Sequence, residues 1–437
     1  MDMPIKEHCR LQSRFHDAIP GGGHTYAKGD DQYPESLPLY ITRGKGSHVW
    51  DVEGREFIEF GSGLRSVGLG HAFEPVVEAV IRQLRHGSNF NRPSPIELEC
   101  AEALLELVPG AEMVKFAKNG SDVNDAAVKL ARAYTGRDFI GVCGNQPFFS
   151  VGDWFIGATP MDGGIPKATK NLTLKFAYND LGSAEDLFQR YSGQIAALIL
   201  EAEKDLPPAN DFLSGLRKLC HQNGTLLILD EMITGFRWHN GGAQAFYEVV
   251  PDLSTFGKAL GNGFSLSALA GRRDIMRLGD LEHDKPRVFL LSTTHGAETH
   301  SLAAGLEVMR IYQREPVVET MWEQGRKLAA GLTKAIFDLK LEDYFETNGK
   351  PCCLTYTTAD QNRQPSQGFR TLFLQETLKR GILAPSLVVG YSHSDEDVRR
   401  TVEAVHGALI VYRRALEEGL EGYLVGRPVK PVFRQFN

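Results

Sequence analysis

A chain of 437 residues, 42% of them hydrophobic, is long enough for more than one domain, because single cores stop growing near ~250 to 300 residues. The net charge of −7, with no block of like charges, leaves no basic stripe for nucleic acid or an anionic membrane surface, so neither is an expected partner. No apolar run reaches the ~18 to 20 residues that span a bilayer, and the opening "MDMPIKEHCRLQSRF" lacks the apolar centre of a signal peptide; a cytoplasmic protein is expected. Cys9, Cys100, Cys143, Cys220, Cys352 and Cys353 are scattered and form no C-x-x-C pair, which reads as reduced, structural thiols.

Along the chain, a Gly-rich arm, "IPGGGHTYAKGDDQYPESLP", precedes an antiparallel meander of "LYITRG", "SHVWDV" and "EFIEF", broken by turns at Gly44 to Gly46 and at Glu53-Gly54. From about residue 75 helices alternate with short apolar strands. "EPVVEAVIRQLRH" and "PIELECAEALLELV" have helical period, and "MVKFAKNGS" reads as a strand with its turn. Val123, Ala127, Leu130, Ala131 and Tyr134 then mark one face of a helix that Gly136 ends. Strands are expected at "FIGVC", "AALILE", "TLLILDE", "SALAG" and "VFLLS"; runs this apolar, interleaved with helices, predict an α/β domain whose mostly parallel sheet is covered on both faces.

Beyond residue 300 come two long helices, "HSLAAGLEVMRIYQ" and "VVETMWEQGRKLAAGLTKAIFDL". An α+β tail follows, with a strand at "CLTYTT", a helix at "FRTLFLQETLKRG" and a last helix near residues 395 to 417. The expected organisation is residues 1–65 as arm and meander of a small domain, 66–310 as the large domain, and 311–437 as the rest of the small α+β domain.

Three stretches carry chemistry. In "LLILDEMITGFR" a buried strand runs into Asp230 and Glu231, and a carboxylate at the edge of a core is costly without a partner. A strand of this type also suits the Mg²⁺-holding carboxylates of an ATPase, but none of the Gly-Lys pairs (Gly44-Lys45, Gly257-Lys258, Gly349-Lys350) is followed by the Ser or Thr that a P-loop needs. In "STFGKALGNGFSLSALAG" Lys258 stands in a Gly-rich, otherwise apolar stretch. A surface lysine on a loop accounts for it, and so does a lysine whose amine is made nucleophilic by desolvation. In "FAKNGSDVNDAAVKLARAYTG" Asn-Gly-Ser sits between a strand and a helix start: Gly120 would let a phosphate approach the backbone, with Ser121 as a hydroxyl donor, and an ordinary N-cap by Ser121 or Asp122 explains the same residues.

The segment "THGAETH" invites a metal site through His295, Glu298 and His300. Its i, i+5 histidines are rotated apart by roughly 140° on a helix, unlike the i, i+4 pair of zinc proteases, so no metal is expected. Taken together, the three stretches describe one ligand. Pyridoxal 5′-phosphate (PLP) has a phosphate for the helix start, an aldehyde for Lys258 and a ring nitrogen whose protonated form Asp230 would hold.

"NGSDVNDAAVKLARAYTGR", "LLILDEMITGFR", "LSTFGKALGNG" and "TTHGAETHSLAAGLEVM", in this order and spacing, resemble the class III aminotransferases of PLP fold type I. Within that family the likeness is to the glutamate-1-semialdehyde aminomutase-like branch, from "AIPGGGHTYAKG" and "HVWDVEGREFIEF" to "RGILAPS" and "SHSDEDVRRTVEAV". The resemblance implies a large domain with a mostly parallel seven-stranded sheet plus a small α+β domain from both termini. It implies Lys258 as the Schiff-base lysine and proton shuttle, Asp230 as partner of the pyridine nitrogen, and Gly120 and Ser121 at the phosphate. It further implies Met232 on one ring face, Glu201 as a supporting carboxylate, and Thr294 reaching the phosphate of a neighbouring subunit, hence a homodimer with shared active sites.

Departures from the family pattern bear on the reaction. Where the family has Gly-Cys-Tyr-His-Gly this chain has "NQPFFS", which places Phe148 under the stacking Tyr and Phe149 in the core. Where aminomutases carry an acidic gate after Pro-Ser, "APSLVVGY" has apolar residues around Val388 and Val389. Loss of the gate favours release of the intermediate, and so an intermolecular transaminase between an amino donor and a carbonyl acceptor over an aminomutase or racemase. Lys28 sits about where aminomutases have an arginine for the substrate carboxylate, and Arg65 in "GSGLRSVGLGH" stands where they have small residues; either an acidic substrate group or a surface or capping role explains Arg65.

Overall fold

The computed structural model describes residues 6–37, 39–144, 146, 148–209 and 211–436, with backbone alone for Lys6, Glu7 and Cys9. The thiol of Cys9 therefore lies outside the described residues; Cys100, Cys143, Cys220, Cys352 and Cys353 are free and buried. The chain divides into two compact units, one of residues 1–64, 69–73 and 319–437, the other of residues 65–68 and 74–318.

In the first unit the arm begins with a helix, Lys6–Ala18, that the sequence pattern did not disclose. Strands β1 (Ile41–Lys45), β2 (His48–Asp51) and β3 (Glu56–Glu59) form the expected antiparallel meander.

In the second unit seven strands make one sheet: β4 (Met113–Ala117), β5 (Phe139–Cys143), β6 (Thr173–Phe176), β7 (Ile195–Leu200), β8 (Leu226–Asp230), β9 (Leu253–Phe256) and β10 (Ser267–Gly271), in the order β4-β10-β9-β8-β7-β5-β6. All neighbours pair in parallel except β10, which runs antiparallel to both β4 and β9. Every residue of β7 and β8 is buried, as parallel strands covered on both faces must be, so their apolar runs extend over the full strand. The helix Gly120–Thr135 packs Val123, Ala127, Leu130 and Ala131 into the core beneath the sheet and ends at Gly136 in the left-handed region (φ 67°), the conformation that glycine adopts at helix ends.

One expected strand is absent. "VFLLS" is coil: Val288 donates to the carbonyl of Leu278, Leu291 turns left-handed (φ 47°) and Phe289 is exposed. Val288 and Leu290 bury their side chains against the same core, which explains the apolar run without a ladder. In this unit two strands, β6 and β9, occur where no strand was expected, and in the first unit so do Phe345–Asn348, Ile382–Leu383 and Leu387–Val388.

The rest of the first unit follows the long helix Val317–Asp338. Strands β11 (Phe345–Asn348), β12 (Cys353–Thr358) and β14 (Leu387–Val388) form a small antiparallel sheet, while β13 (Ile382–Leu383) joins β3 in parallel. Phe60, Phe345, Phe369, Phe373, Val389 and Tyr412 belong to its core. No helix among the described residues is long and apolar enough to cross a membrane.

Candidate active site

Strand β8 ends at Asp230, whose side chain is 2% exposed. One carboxylate oxygen accepts from the backbone N–H of Met232 (2.8 Å) and the other from Nδ2 of Asn124 (2.8 Å). Asn124 is wholly buried on the helix Gly120–Thr135, also donates to the carbonyl of Phe149 (2.6 Å), and accepts from the hydroxyl of Thr255 on β9 (2.7 Å). Helix, β8 and β9 thus fix the orientation of Asp230. Burial pushes its carboxyl up from the usual range, and the Lys258 cation and these donors pull it down.

Lys258 follows β9, at the start of a short 3-10 turn, with a left-handed backbone (φ 45°) unusual for a residue with a side chain. Burial lowers its ammonium below the ordinary lysine range; Asp230 and Glu201 oppose that shift, and Arg65 and Arg237 add to it. Glu201, just past β7, is buried and held above the usual carboxylate range by burial and then by Asp230, with Lys204, Lys258 and Arg65 acting the other way. Its backbone exchanges two hydrogen bonds with the Gln146 side chain, which hold the end of β7 in place (2.6 and 2.7 Å). Asp230, Glu201, Lys258, Arg65 and Arg237 are therefore electrostatic neighbours.

Arg65 ends a run of four left-handed residues, Ser62 to Arg65 (φ 47, 56, 61 and 68°), in which only Gly63 is free of the Cβ penalty. Its carbonyl accepts from the guanidinium of Arg237 (3.1 Å).

The sulfur of Met232 fills the space between two glycines. A Cβ on Gly120 would lie 2.9 Å from it and one on Gly257 2.7 Å, so both positions must lack a side chain if Met232 is to keep its place. The helix cap is Asn119, whose side chain accepts from the N–H of Asp122; neither Ser121 nor Asp122 is the cap. Ser121 is buried and its hydroxyl accepts from the N–H of Val151 (3.0 Å).

Glu231, adjacent to Asp230, serves a different purpose. It is wholly buried and accepts from the backbone N–H groups of Ala243 (2.8 Å) and Gln244 (2.7 Å) and from the hydroxyl of Thr234. Burial raises its carboxyl to about 7. Both carboxylates accept only from neutral donors, Glu231 from three and Asp230 from two, but only Asp230 has the Lys258 amine as an electrostatic neighbour that lowers its carboxyl.

The remaining residues singled out from the sequence differ in exposure. Phe149 is in the core as expected, and Phe148 is 45% exposed with an edge contact to Phe155. Thr294 is exposed in a turn, its carbonyl accepting from Asn89 (3.0 Å). Lys28 is exposed in a 3-10 turn of the first unit. Asn145 and Pro147 of "NQPFFS" lie outside the described residues. Asn124, Arg237 and the Lys118–Glu298 ion pair (2.7 Å) were not singled out from sequence. No group of residues suited to a metal ion occurs among the described residues.

The family model described as "Aminotransferase class-III" matches residues 29–144 and 153–346. The chain belongs to the class-III aminotransferases. It is 31% identical over 422 residues to the glutamate-1-semialdehyde 2,1-aminomutase of Francisella philomiragia, covering 90% of this chain and 96% of that one. Among solved structures, the FumI protein of Sphingopyxis sp. MTA144 in its PLP form superimposes with a TM-score of 0.86 at 27% identity, covering 94% of this chain and 97% of that one. An omega-transaminase from Sphaerobacter thermophilus gives 0.84 at 27% identity, with 94% and 98% covered.

Family membership and PLP-bound neighbours of the same fold support pyridoxal 5′-phosphate as the cofactor. The residues present fit it: the buried Asp230 carboxylate at the end of β8 suits a cationic ring nitrogen, a desolvated amine at Lys258 suits an aldehyde, and the start of the helix Gly120–Thr135 suits a phosphate.

Proposed function

We propose that the chain is an intermolecular aminotransferase, moving an amino group from an amino-acid donor to an aldehyde or ketone by a ping-pong mechanism. The observation that supports this over isomerisation is the segment after Pro385-Ser386. Val388 and Val389 are fully buried, and their N–H groups are spent on the carbonyls of Phe60 and Cys352, so a core strand occupies the stretch where aminomutases carry an acidic gate. Without such a gate an amino-carbonyl intermediate is free to leave before it is re-aminated.

In this reading Lys258 and Asp230 are the catalytic residues. Bound pyridoxal phosphate supplies an aldehyde carbon for amines and a ring that accepts the electron pair left by a departing α-proton. Lys258 Nζ, whose ammonium form burial disfavours, would take the α-proton of the donor and give it back later in the cycle. Asp230, oriented by Asn124 and the Met232 N–H, holds the proton of the ring nitrogen. Glu201 sets the field around both, Met232 and Phe148 bound the ring, and Gly120 and Ser121 hold the phosphate.

Arg65, facing Glu201 and Lys258, reads a carboxylate on one substrate; Lys28 on the arm is a second candidate for that task. Thr294 completes the phosphate site of a second copy in a homodimer, and the enzyme works in the cytoplasm on small molecules.

The second reading, an aminomutase of the glutamate-1-semialdehyde type, is favoured by the names of the relatives that share 31% identity. Single-turnover mixing of PLP-loaded protein with one amine donor, without a keto acid, separates the two. Transamination predicts stoichiometric keto product and a halt until a carbonyl acceptor is added; continuous isomerisation with no acceptor would overturn it.

A further inference from the structure

The phosphate turn has an unexpected neighbour. Lys118, one residue before the capping Asn119, donates from Nζ to Glu298 Oε2 (2.7 Å) and to the hydroxyl of Ser301 (3.0 Å). Glu298 stands immediately before the helix Thr299–Arg314, and its other oxygen meets His295 Nδ1 (2.9 Å), beside Thr294 in the exposed turn. His300 Nε2 lies 4.0 Å from the same carboxylate, and its Nδ1 is 2.7 Å from the Ser88 hydroxyl. The turn is tied on its other side as well: the hydroxyl of Ser265 donates to the carbonyl of Lys118 (2.7 Å) and that of Ser267 to the carbonyl of Asn119 (2.8 Å).

These bonds have a common geometry. Ser265 and Ser267 grip the backbone of residues 118 and 119, while the Lys118 side chain is drawn to the start of a different helix. One carboxylate thus joins the turn that precedes Gly120 and Ser121 to the turn that carries Thr294. Both partners are only about one-fifth exposed, so water screens the pair incompletely. The Glu298 and Ser301 bonds commit the Lys118 charge to the protein.

We infer that Glu298 is a positioning residue for the cofactor phosphate. Acting through Lys118 and His295, it ties this copy's phosphate turn to the segment whose Thr294 serves the phosphate of the second copy, so that one carboxylate supports both sites. The inference rests on the proposed assignment of Gly120, Ser121 and Thr294 to the phosphate of PLP. Loss of the ion pair lets the turn relax, and the cost falls on the phosphate contacts rather than on the aldehyde or ring contacts.

The test titrates cofactor-free full-length protein with PLP and, separately, with pyridoxal, the same aldehyde without its phosphate, reading cofactor absorbance. Glu298→Gln and Lys118→Met should each raise the apparent Kd for PLP on the order of fivefold, as expected for one partly buried ion pair, and leave that for pyridoxal unchanged. The swap Lys118→Glu with Glu298→Lys should recover most of the loss. Unchanged or tighter PLP binding in both single variants overturns the inference, as does a parallel loss of pyridoxal affinity, which marks general disruption. Wild-type protein that binds neither aldehyde overturns the cofactor assignment and this inference with it.

Discussion

Asn124→Ala perturbs the proposed site without touching any group that would contact substrate. The side chain makes three short bonds, to Asp230, to the carbonyl of Phe149 and with the hydroxyl of Thr255. Its removal strands three buried polar groups at about 1–3 kcal/mol each; a water entering the vacated volume recovers part of that, leaving a net destabilisation of about 3 kcal/mol. A second effect is electrostatic. The Asn124 N–H favours the ionised form of Asp230, so the variant carboxyl should titrate higher still, in the same direction that burial already drives it. The acid limb of kcat/KM against pH, which reports the free enzyme, should therefore move to higher pH, because activity needs Asp230 ionised. A variant whose acid limb and unfolding midpoint both match the wild type would refute the view that Asn124 orients and tunes Asp230.

Two further outcomes follow from the same geometry. Gly120→Ala places a methyl 2.9 Å from the Met232 sulfur, at the end of a flexible side chain, so the protein should fold but bind PLP about tenfold more weakly, and adding Met232→Ala should recover part of the loss; equal affinity in the single variant would show that this approach is not needed. Glu231 has a carboxyl raised from 4.5 to about 7 in the folded state, so its contribution is complete below pH ~4.5 and is lost as pH rises towards 7, a change of about 3 kcal/mol measured by denaturant titration. In Glu231→Gln that part of the slope should vanish, and an unaltered slope would mean that Glu231 titrates alike in the folded and unfolded chain.

Much of the fold is legible in the chain because its signals are local. The apolar runs of β7 and β8 and the periodic face from Val123 to Ala131 need no distant partner to be recognised, and Asp230 and Lys258 stand out as charges where burial makes them costly. Errors arise where a local pattern has two solutions. Val288 and Leu290 pack on the core from a coil as well as a strand would, while β9, with Ser254 and Thr255 buried inside it, lacks the apolar run that marked its neighbours. The cap at Asn119 was missed because Ser121 and Asp122 are equally good capping types one turn into the same helix.

The residues that organise the site are less legible because their partners are far away in sequence. Asn124 meets Asp230 across 106 positions and Lys118 meets Glu298 across 180, and nothing in either segment names the other. Glu231 had a nearer signal: Gly242 (φ 84°), where a Cβ would lie 2.6 Å from the Glu231 carboxylate, lets the chain bring the N–H groups of Ala243 and Gln244 onto it.

The central claim is that the amine of Lys258 is tethered to the aldehyde of PLP. PLP-loaded protein reduced with borohydride, digested and mapped by mass should carry one reduced pyridoxyl phosphate group per chain, on Lys258, and Lys258→Ala should carry none at that position. A label absent from Lys258, or placed on another lysine of the wild-type protein, would contradict it.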